Sequence, residues 1–312
     1  MFLALRGGMT APRRVVPGTY LITRRTTRRH FLLRPDADGT MAQLYWYATI
    51  VYAQLFGLEL HVMQMLSDHV HEVFTDPDGL LPVFLERRNR AITLSVKAHR
   101  GWPGEVFDGE GPSYQELPTP AALVGKTAYV VANCVAAFLV RTPQRWPGAK
   151  VLVNEIGERV VRVERPKYWY DADNPQWPDA VEMKIVMPKQ LLQSFGSMDA
   201  ARAAIQGVVD GLVAEAHAEA KRKGRGFLGH KRVTRVPHTD RASSWEKFGK
   251  RRPTFVAAGD LEVAREKAAE KRTFECEHRE ALLRWRAGER DVLFPRGTWM
   301  MRRYHGVRCR AP

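Results

Sequence analysis

Two histidines that flank a single valine, His69 and His71, are the first residues whose type and spacing suggest chemistry. They lie in a largely apolar run that is typical of a β-strand, and successive side chains of a strand point to opposite faces. Both imidazoles therefore project from one face, about 7 Å apart at a rise of roughly 3.3 Å per residue. Two imidazoles at that spacing can converge on one divalent metal ion, although most such pairs are ordinary polar positions of a strand.

A tyrosine and an asparagine four residues apart offer the second part of a possible site. Tyr129 and Asn133 lie in a segment with helical periodicity, so they share one face of the predicted helix. A tyrosine phenol can attack a phosphodiester, and an amide oxygen beside two imidazoles is a suitable ligand for Mg²⁺ or Mn²⁺. The alternative for Tyr129 is a core aromatic, because Val130 and Val131 follow it directly.

The elements that would position these residues alternate between strands and helices. We predict a strand at 19–23, a helix at 41–56, a strand pair at 58–66 and 69–75, a helix at 80–98, a short segment at 114–117 and a helix at 120–140. This order predicts an α+β fold, an antiparallel sheet flanked by helices in a ferredoxin-like arrangement. Six arginines lie near the predicted strand end or on the second helix and are candidate contacts for DNA phosphates: Arg24, Arg25, Arg28, Arg29, Arg87 and Arg88.

Composition limits the classes of function. The chain has 312 residues and a formal net charge of +15, which favours a polyanionic partner, nucleic acid before an anionic membrane. Only three cysteines occur and none forms a Cys-x-x-Cys pair, which argues against disulfides and cysteine zinc sites. With no signal peptide or membrane span expected, we predict a cytoplasmic, nucleoid-associated protein without a membrane partner.

The two motifs together resemble the single-tyrosine HUH transposases, and among them the REP-associated tyrosine transposases. Residues 66–71, of sequence LSDHVH, are similar to that family's Met-Pro-Asn-His-Val-His strand. Residues 129–133, of sequence YVVAN, are similar to its Tyr-Ile-x-x-Asn-Pro-Val helix. The resemblance covers roughly residues 17–148.

The resemblance implies metal-dependent cleavage and rejoining of single-stranded or hairpin DNA through a covalent 5′-phosphotyrosine. It assigns Tyr129 as the nucleophile and His69, His71 and Asn133 as ligands of Mg²⁺ or Mn²⁺. The family contains both monomers and homodimers, and either state is expected here. The chain departs from the family pattern at residues 67 and 68, where Ser-Asp replaces Pro-Asn, and at Glu72 and Cys134.

Two other functions fit the same residues. A non-catalytic, domesticated DNA-binding protein would use the same fold and basic surface, and a metal-dependent hydrolase would use Tyr129 only for packing. For domains, we predict a basic flexible N-terminus (1–16), an HUH transposase domain (17–148), a mixed accessory region (149–220) and a basic, largely helical C-terminal region (221–312). Cations and aromatic residues interleave at 221–256, which indicates either a DNA-binding arm or a solvated linker.

Overall fold

The computed structural model describes residues 13–243 and 253–310. The chain divides into two compact units, Gly18–Ala258 and a smaller one of Met1–Pro17 together with Gly259–Pro312. The predicted domain end at residue 148 lies inside the larger unit, and the predicted division into four regions stays a prediction. Most of the predicted N-terminal arm, and residues 244–252 of the predicted basic arm, lie outside the described residues.

The larger unit contains an ordered series of strands and helices. They are β1 Gly18–Arg25, α1 Thr40–Phe56, β2 Glu59–Met65, β3 His69–Asp76, α2 Leu81–Arg100, β4 Ser113–Glu116, α3 Pro120–Ala136, β5 Val160–Glu164, β6 Ala180–Lys184, α4 Lys189–Phe195, α5 Met198–Arg222 and α6 His230–Val233. Short 3-10 turns occupy Thr27–Arg29, Pro143–Arg145 and Val153–Glu155.

The first four strands form one antiparallel sheet in the order β2-β3-β1-β4. The histidine strand β3 is therefore an inner strand, hydrogen-bonded on both edges. Its register with β1 places His69 opposite Arg25 and His71 opposite Thr23. With helices on both faces of this sheet, the predicted α+β fold of an antiparallel sheet flanked by helices is confirmed.

Successive side chains of β3 point to opposite faces of the sheet, and the two faces have different surroundings. His71 faces α3, where its ring contacts Tyr129. The next residue, Glu72, points to the opposite face and accepts a hydrogen bond of 3.1 Å from the hydroxyl of Tyr45 in α1. Arg88 of α2 reaches the same carboxylate. The polar chemistry of the histidines therefore lies on the face opposite to α1 and α2.

Capping side chains fix where the helices around the sheet begin. The carboxylate of Asp76, the last residue of β3, accepts the backbone N–H groups of Leu80 and Leu81 at 2.9 and 2.7 Å, which ties the start of α2 directly to β3. At α3, the Thr119 hydroxyl accepts the N–H of Ala122 at 3.1 Å. Each of these two helices also has a proline in its first turn, where no N–H is needed.

The helix that carries Tyr129 is shorter than predicted. It ends at Ala136, and the predicted continuation to Val140 is wrong. The cause is Phe138, whose φ of 57° is left-handed and incompatible with a further helical turn. The N–H of Leu139 then closes back on the carbonyl of Cys134 at 3.0 Å.

Part of the accessory region, residues 149–220, forms a small hairpin of β5 and β6. Residues Val153–Glu155 are a 3-10 turn, closed by the Glu155 carboxylate, which accepts the N–H of Leu152 at 2.7 Å. The strand proper begins only at Val160 and pairs with β6 in an antiparallel ladder. Carbonyls of the hairpin region accept hydrogen bonds from α1, for example Pro178 from the Tyr47 hydroxyl at 2.6 Å.

The basic stretch after α5 packs against the sheet domain. In its described part, residues 224–243 and 253–258, only His230–Val233 is helical. The N–H of Ala242 donates to the carbonyl of Arg29 at 3.2 Å, and the N–H of Val256 donates to the carbonyl of Glu116 at 2.9 Å. Val233 is buried in a hydrophobic cluster with Leu66, which follows β2, with residues of α3 and the segment after it, and with Ala216 of α5. These contacts argue against a solvated linker for the described part of the stretch.

The smaller unit contains α7, Leu261–Arg286, and α8, Met300–His305. Its small core consists of Ala281, Val292, Phe294, Met301 and Val307. Among the described residues of the whole chain, no helix is both long enough and apolar enough to cross a membrane.

A buried ion pair lies beneath the histidine strand. The side chains of Arg88 and Glu72 are both 0% exposed, and Arg88 Nη1 is 2.7 and 2.8 Å from the two Glu72 oxygens. The guanidinium also packs on the Phe84 ring, with Cζ 4.8 Å from its centroid. The prediction that Arg88 contacts DNA phosphate is therefore wrong, because the side chain is fully buried and bound to a carboxylate.

Removing one partner of this pair should be costly. We expect Arg88→Met to lower the free energy of unfolding by about 3–5 kcal/mol, since Glu72 would remain buried without its counter-charge. The double variant Glu72→Leu/Arg88→Met should recover much of that loss. Urea unfolding at neutral pH measures the free energy of unfolding of each variant relative to wild type. Arg87→Met, at the exposed neighbouring position of the same helix, is the matched control, and a double variant no more stable than the single one would contradict this account.

A second prediction concerns the Asp36 carboxylate, which lies 2.6 Å from Arg100 Nη1 and 2.7 Å from His99 Nε2. Burial opposes its charge, but these two partners lower its pKa from 3.8 to about 2. Because the folded pKa is the lower one, the stabilisation is complete above pH 3.8 and is lost as the pH falls towards 2. We expect Asp36→Asn to cost about 2 kcal/mol at neutral pH, a cost that shrinks with acidification.

Urea unfolding of wild type and Asp36→Asn across acidic and neutral pH tests this. Asp173→Asn, at an exposed position, is the control for loss of a surface carboxylate. A stability difference between wild type and Asp36→Asn that stays constant down to pH 3 would exclude the proposed linkage.

Candidate active site

Strand β3 presents His69 and His71 side by side. Their ring centroids are 4.8 Å apart on the α3 face of the sheet. His71 is 5% exposed, whereas His69 is half-buried at the sheet end. The predicted placement of both imidazoles on one face is thus what the structure shows.

Helix α3 brings the tyrosine and the asparagine to these rings. The Tyr129 hydroxyl is 3.2 Å from His71 Nε2, and Asn133 Oδ1 is 3.3 Å from His69 Nε2. Asn133 is 9% exposed, while Tyr129 is 36% exposed. The four residues singled out from the sequence therefore form one cluster, open to solvent on the tyrosine side.

The other nitrogen of each imidazole is held by a neighbour. Asp68 Oδ1 lies 2.7 Å from His69 Nδ1, and Thr23 Oγ1 lies 2.8 Å from His71 Nδ1. With both Nδ1 atoms engaged, both Nε2 atoms are directed towards α3. Hydrogen bonds of this kind orient the histidine ligands of metal sites and set their tautomers.

The donor atoms fit a divalent metal ion. Two imidazole nitrogens and one amide oxygen converge from His69, His71 and Asn133, which is a mixed nitrogen and oxygen set with room for further oxygen ligands. Among the described residues no group of three or more His, Cys, Asp or Glu side chains makes an alternative site. The fit rests on this donor set, and the metal itself stays a prediction.

Burial and neighbouring charges favour a neutral His71, and the partners of Asp68 favour its ionised form. Burial, together with the charges of His69, Arg25 and Lys126, holds the pKa of His71 well below its usual value. Burial would raise the pKa of Asp68, but its hydrogen bond with His69 and the charge of Arg29 lower it. A neutral imidazole is the form that binds metal.

The six arginines predicted to hold DNA have different environments. Arg24 is ion-paired with Asp108 at 2.7 Å, Arg29 is ion-paired with Asp68 at 2.8 Å, and Arg88 is buried as described above. Arg28 and Arg87 are exposed, and Arg25 lies opposite His69 on β1. Arg28, in the turn after β1, is thus the exposed member closest along the chain to the strand that pairs with β3, whereas Arg87 belongs to α2 on the other face of the sheet.

Two residues near the site were not identified from the sequence. The pairing of β1 with β3 places Thr23 opposite His71, and no local sequence pattern predicts that pairing. Lys126 lies one turn before Tyr129, with Nζ 5.3 Å from the centroid of its ring. Its spacing of three residues from the tyrosine was the available signal, because side chains at i and i+3 share a helix face.

No family model and no curated protein matches the chain. Two of the solved structures that resemble it are the following. One is described as a REP-associated tyrosine transposase bound to a REP hairpin, with 19% identity, coverage of 46% of this chain and 83% of its own, and a TM-score of 0.37. The other is a putative transposase from Deinococcus radiodurans R1, with 21% identity, coverage of 34% and 84%, and a TM-score of 0.27. Both structures are described as transposases.

The role of Asp68 gives a testable expectation for the metal site. If Asp68 orients His69 for a metal ion, Asp68→Ala should weaken Mn²⁺ binding roughly 10- to 100-fold. Asp68→Asn should lose less Mn²⁺ affinity, because the amide of asparagine keeps an oxygen that can accept a hydrogen bond. Calorimetric titration of the free protein with Mn²⁺ measures this without any DNA. Asp38→Ala, at an exposed aspartate away from the site, is the control, and equal affinities for wild type and Asp68→Ala would rule out this role.

Proposed function

We propose that the protein is a metal-dependent single-stranded DNA endonuclease and strand transferase that cleaves at DNA hairpins through a covalent 5′-phosphotyrosine. The observation that supports it most is the placement of the Tyr129 hydroxyl, 3.2 Å from His71 and beside the His69–Asn133 pair, with the ring exposed to solvent. A tyrosine used only for packing would be buried away from such polar groups. The motif resemblance at 66–71 and 129–133 supports the same chemistry.

In the proposed reaction, the Tyr129 oxygen attacks the phosphorus atom of a DNA phosphodiester. A bond forms between that oxygen and phosphorus, and the bond from phosphorus to the 3′ oxygen of the preceding nucleotide breaks. The phenol loses its proton to water, and the leaving oxygen takes one up, so the products are a 3′ hydroxyl and a 5′-phosphotyrosine. Since a phosphodiester-type bond is kept, attack by another 3′ hydroxyl can rejoin the strand.

His69, His71 and Asn133 would hold a Mg²⁺ or Mn²⁺ ion. A divalent ion bound there would withdraw charge from the phosphate oxygens and orient the phosphate. The protein contributes the rest: Asp68 and Thr23 fix the imidazole orientations, and α3 keeps the phenol on the same face of the sheet as the histidines.

The DNA partner would be held mainly by its backbone. Arg28, exposed in the turn after β1, suits a phosphate contact, and the formal net charge of +15 would attract a polyanion at long range. Such binding weakens as salt is raised, because cations released from DNA must be recaptured. A non-catalytic DNA-binding protein would share this behaviour, so binding alone cannot separate the two functions.

Loss of the phenol hydroxyl should abolish covalent capture of DNA. We expect Tyr129→Phe to form no adduct on a denaturing gel after incubation with Mg²⁺ and a library of DNA hairpins with randomised single-stranded flanks. Hairpin binding should survive, because one hydroxyl contributes little to backbone contacts. Tyr168→Phe, which alters another exposed tyrosine, is the matched control and should form as much covalent adduct as wild type.

The same experiment separates the alternatives. Addition of a chelator should remove the wild-type adduct while leaving hairpin binding in place. Cleaved DNA with free ends and no attached protein would instead indicate a hydrolase in which Tyr129 is only packed. If a chelator leaves hairpin binding unchanged and no DNA is cleaved in the presence of Mg²⁺ or Mn²⁺, the protein is a non-catalytic DNA-binding protein.

A further inference from the structure

A lysine lies on the nucleophile's own helix face. Lys126 precedes Tyr129 by three residues in α3, and its ammonium nitrogen is 5.3 Å from the centroid of the tyrosine ring. The side chain is half-buried rather than extended into solvent. Since the helix fixes the spacing of the two residues, the ammonium is kept beside the phenol.

Among the described residues, no carboxylate forms an ion pair with this ammonium, and helix α3 itself contains no Asp or Glu. Burial lowers the pKa of Lys126. Burying a cation without a counter-charge is unfavourable, so the site is better suited to the presence of an anion than to its absence.

The same tyrosine also meets the histidine pair. Its hydroxyl lies 3.2 Å from His71 Nε2, so Lys126, Tyr129 and His71 are neighbours on the α3 face of the sheet. A phosphodiester placed for attack by Tyr129 would lie roughly 3–3.5 Å from the phenol oxygen, within the same small region.

We propose that Lys126 is a catalytic residue that binds a non-bridging oxygen of the scissile phosphate beside Tyr129. This inference rests on the proposed function and adds to it a protein cation distinct from the metal ligands. Lys126 holds the phosphate before attack and stabilises the additional negative charge on its oxygens during attack. Because the contact is made by the chain itself, part of the phosphate affinity persists without a divalent ion.

Binding of single-stranded DNA tests the phosphate contact without requiring cleavage. The probe is a fluorescent twelve-residue oligothymidylate, titrated into the full-length protein at low salt in the presence of a chelator. We expect Lys126→Met to weaken its binding roughly 10-fold or more, and Lys126→Arg to retain most of the affinity. Lys184→Met, at an exposed lysine of β6, controls for the loss of one positive charge from the protein. Equal affinities for Lys126→Met and Lys184→Met would overturn the proposal.

Adduct formation tests the catalytic part. On a hairpin recovered from the library experiment, Lys126→Met should lower the rate of adduct formation roughly 100-fold, with partial rescue by Lys126→Arg. An unchanged rate would refute a catalytic role. If wild type itself forms no adduct, the proposed function fails, whereas the oligothymidylate titration still decides whether Lys126 binds phosphate. Thermal unfolding of each variant by circular dichroism identifies any loss of folding.

Discussion

The ion pair between Arg88 and Glu72 is the interaction on which the rest of the sheet domain depends most. Both side chains are fully buried, and they connect the inner strand β3 to α2, with the Tyr45 hydroxyl adding a link to α1. A pair of this kind contributes little net stability compared with apolar residues, but each partner is costly to remove alone. Since side chains alternate along a strand, fixing Glu72 on one face fixes His71 on the other. The orientation of the histidines is thus coupled to a contact on the opposite side of the sheet.

The departures from the resembling family have structural explanations in this chain. Glu72, where that family has an apolar residue, is matched by the buried Arg88. Cys134, where the family has proline, keeps a backbone N–H, and Gln64 Oε1 accepts it at 2.9 Å. The Gln64 amide also donates to the carbonyl of Val131 at 3.1 Å, so one β2 side chain fastens α3 to the sheet. These substitutions belong to the support of the site and leave its four central residues in place.

Local patterns in the sequence were sufficient for part of this architecture. Alternation at 69–71 gave the shared face of the histidines, and the spacing of Tyr129 and Asn133 gave their shared helix face. Contacts between distant segments were not accessible in the same way. An arginine in a helix of high positive charge, Arg88, looks no different from its exposed neighbour Arg87 until Glu72 is placed opposite it. The end of α3 depended on the left-handed backbone of Phe138, which a phenylalanine seldom adopts.

Helix α3 packs on the sheet of its own chain, through Gln64 of β2 and through His71 of β3. The phenol and the imidazoles are therefore all contributed by one polypeptide. In an assembly of such chains every copy would hold Tyr129 and both histidines within its own fold, in contrast to arrangements in which neighbours exchange the tyrosine helix. Under the proposed function, mixing a copy that lacks Tyr129 with a copy that lacks His71 would then restore no adduct formation, because neither defect can be complemented by the other copy.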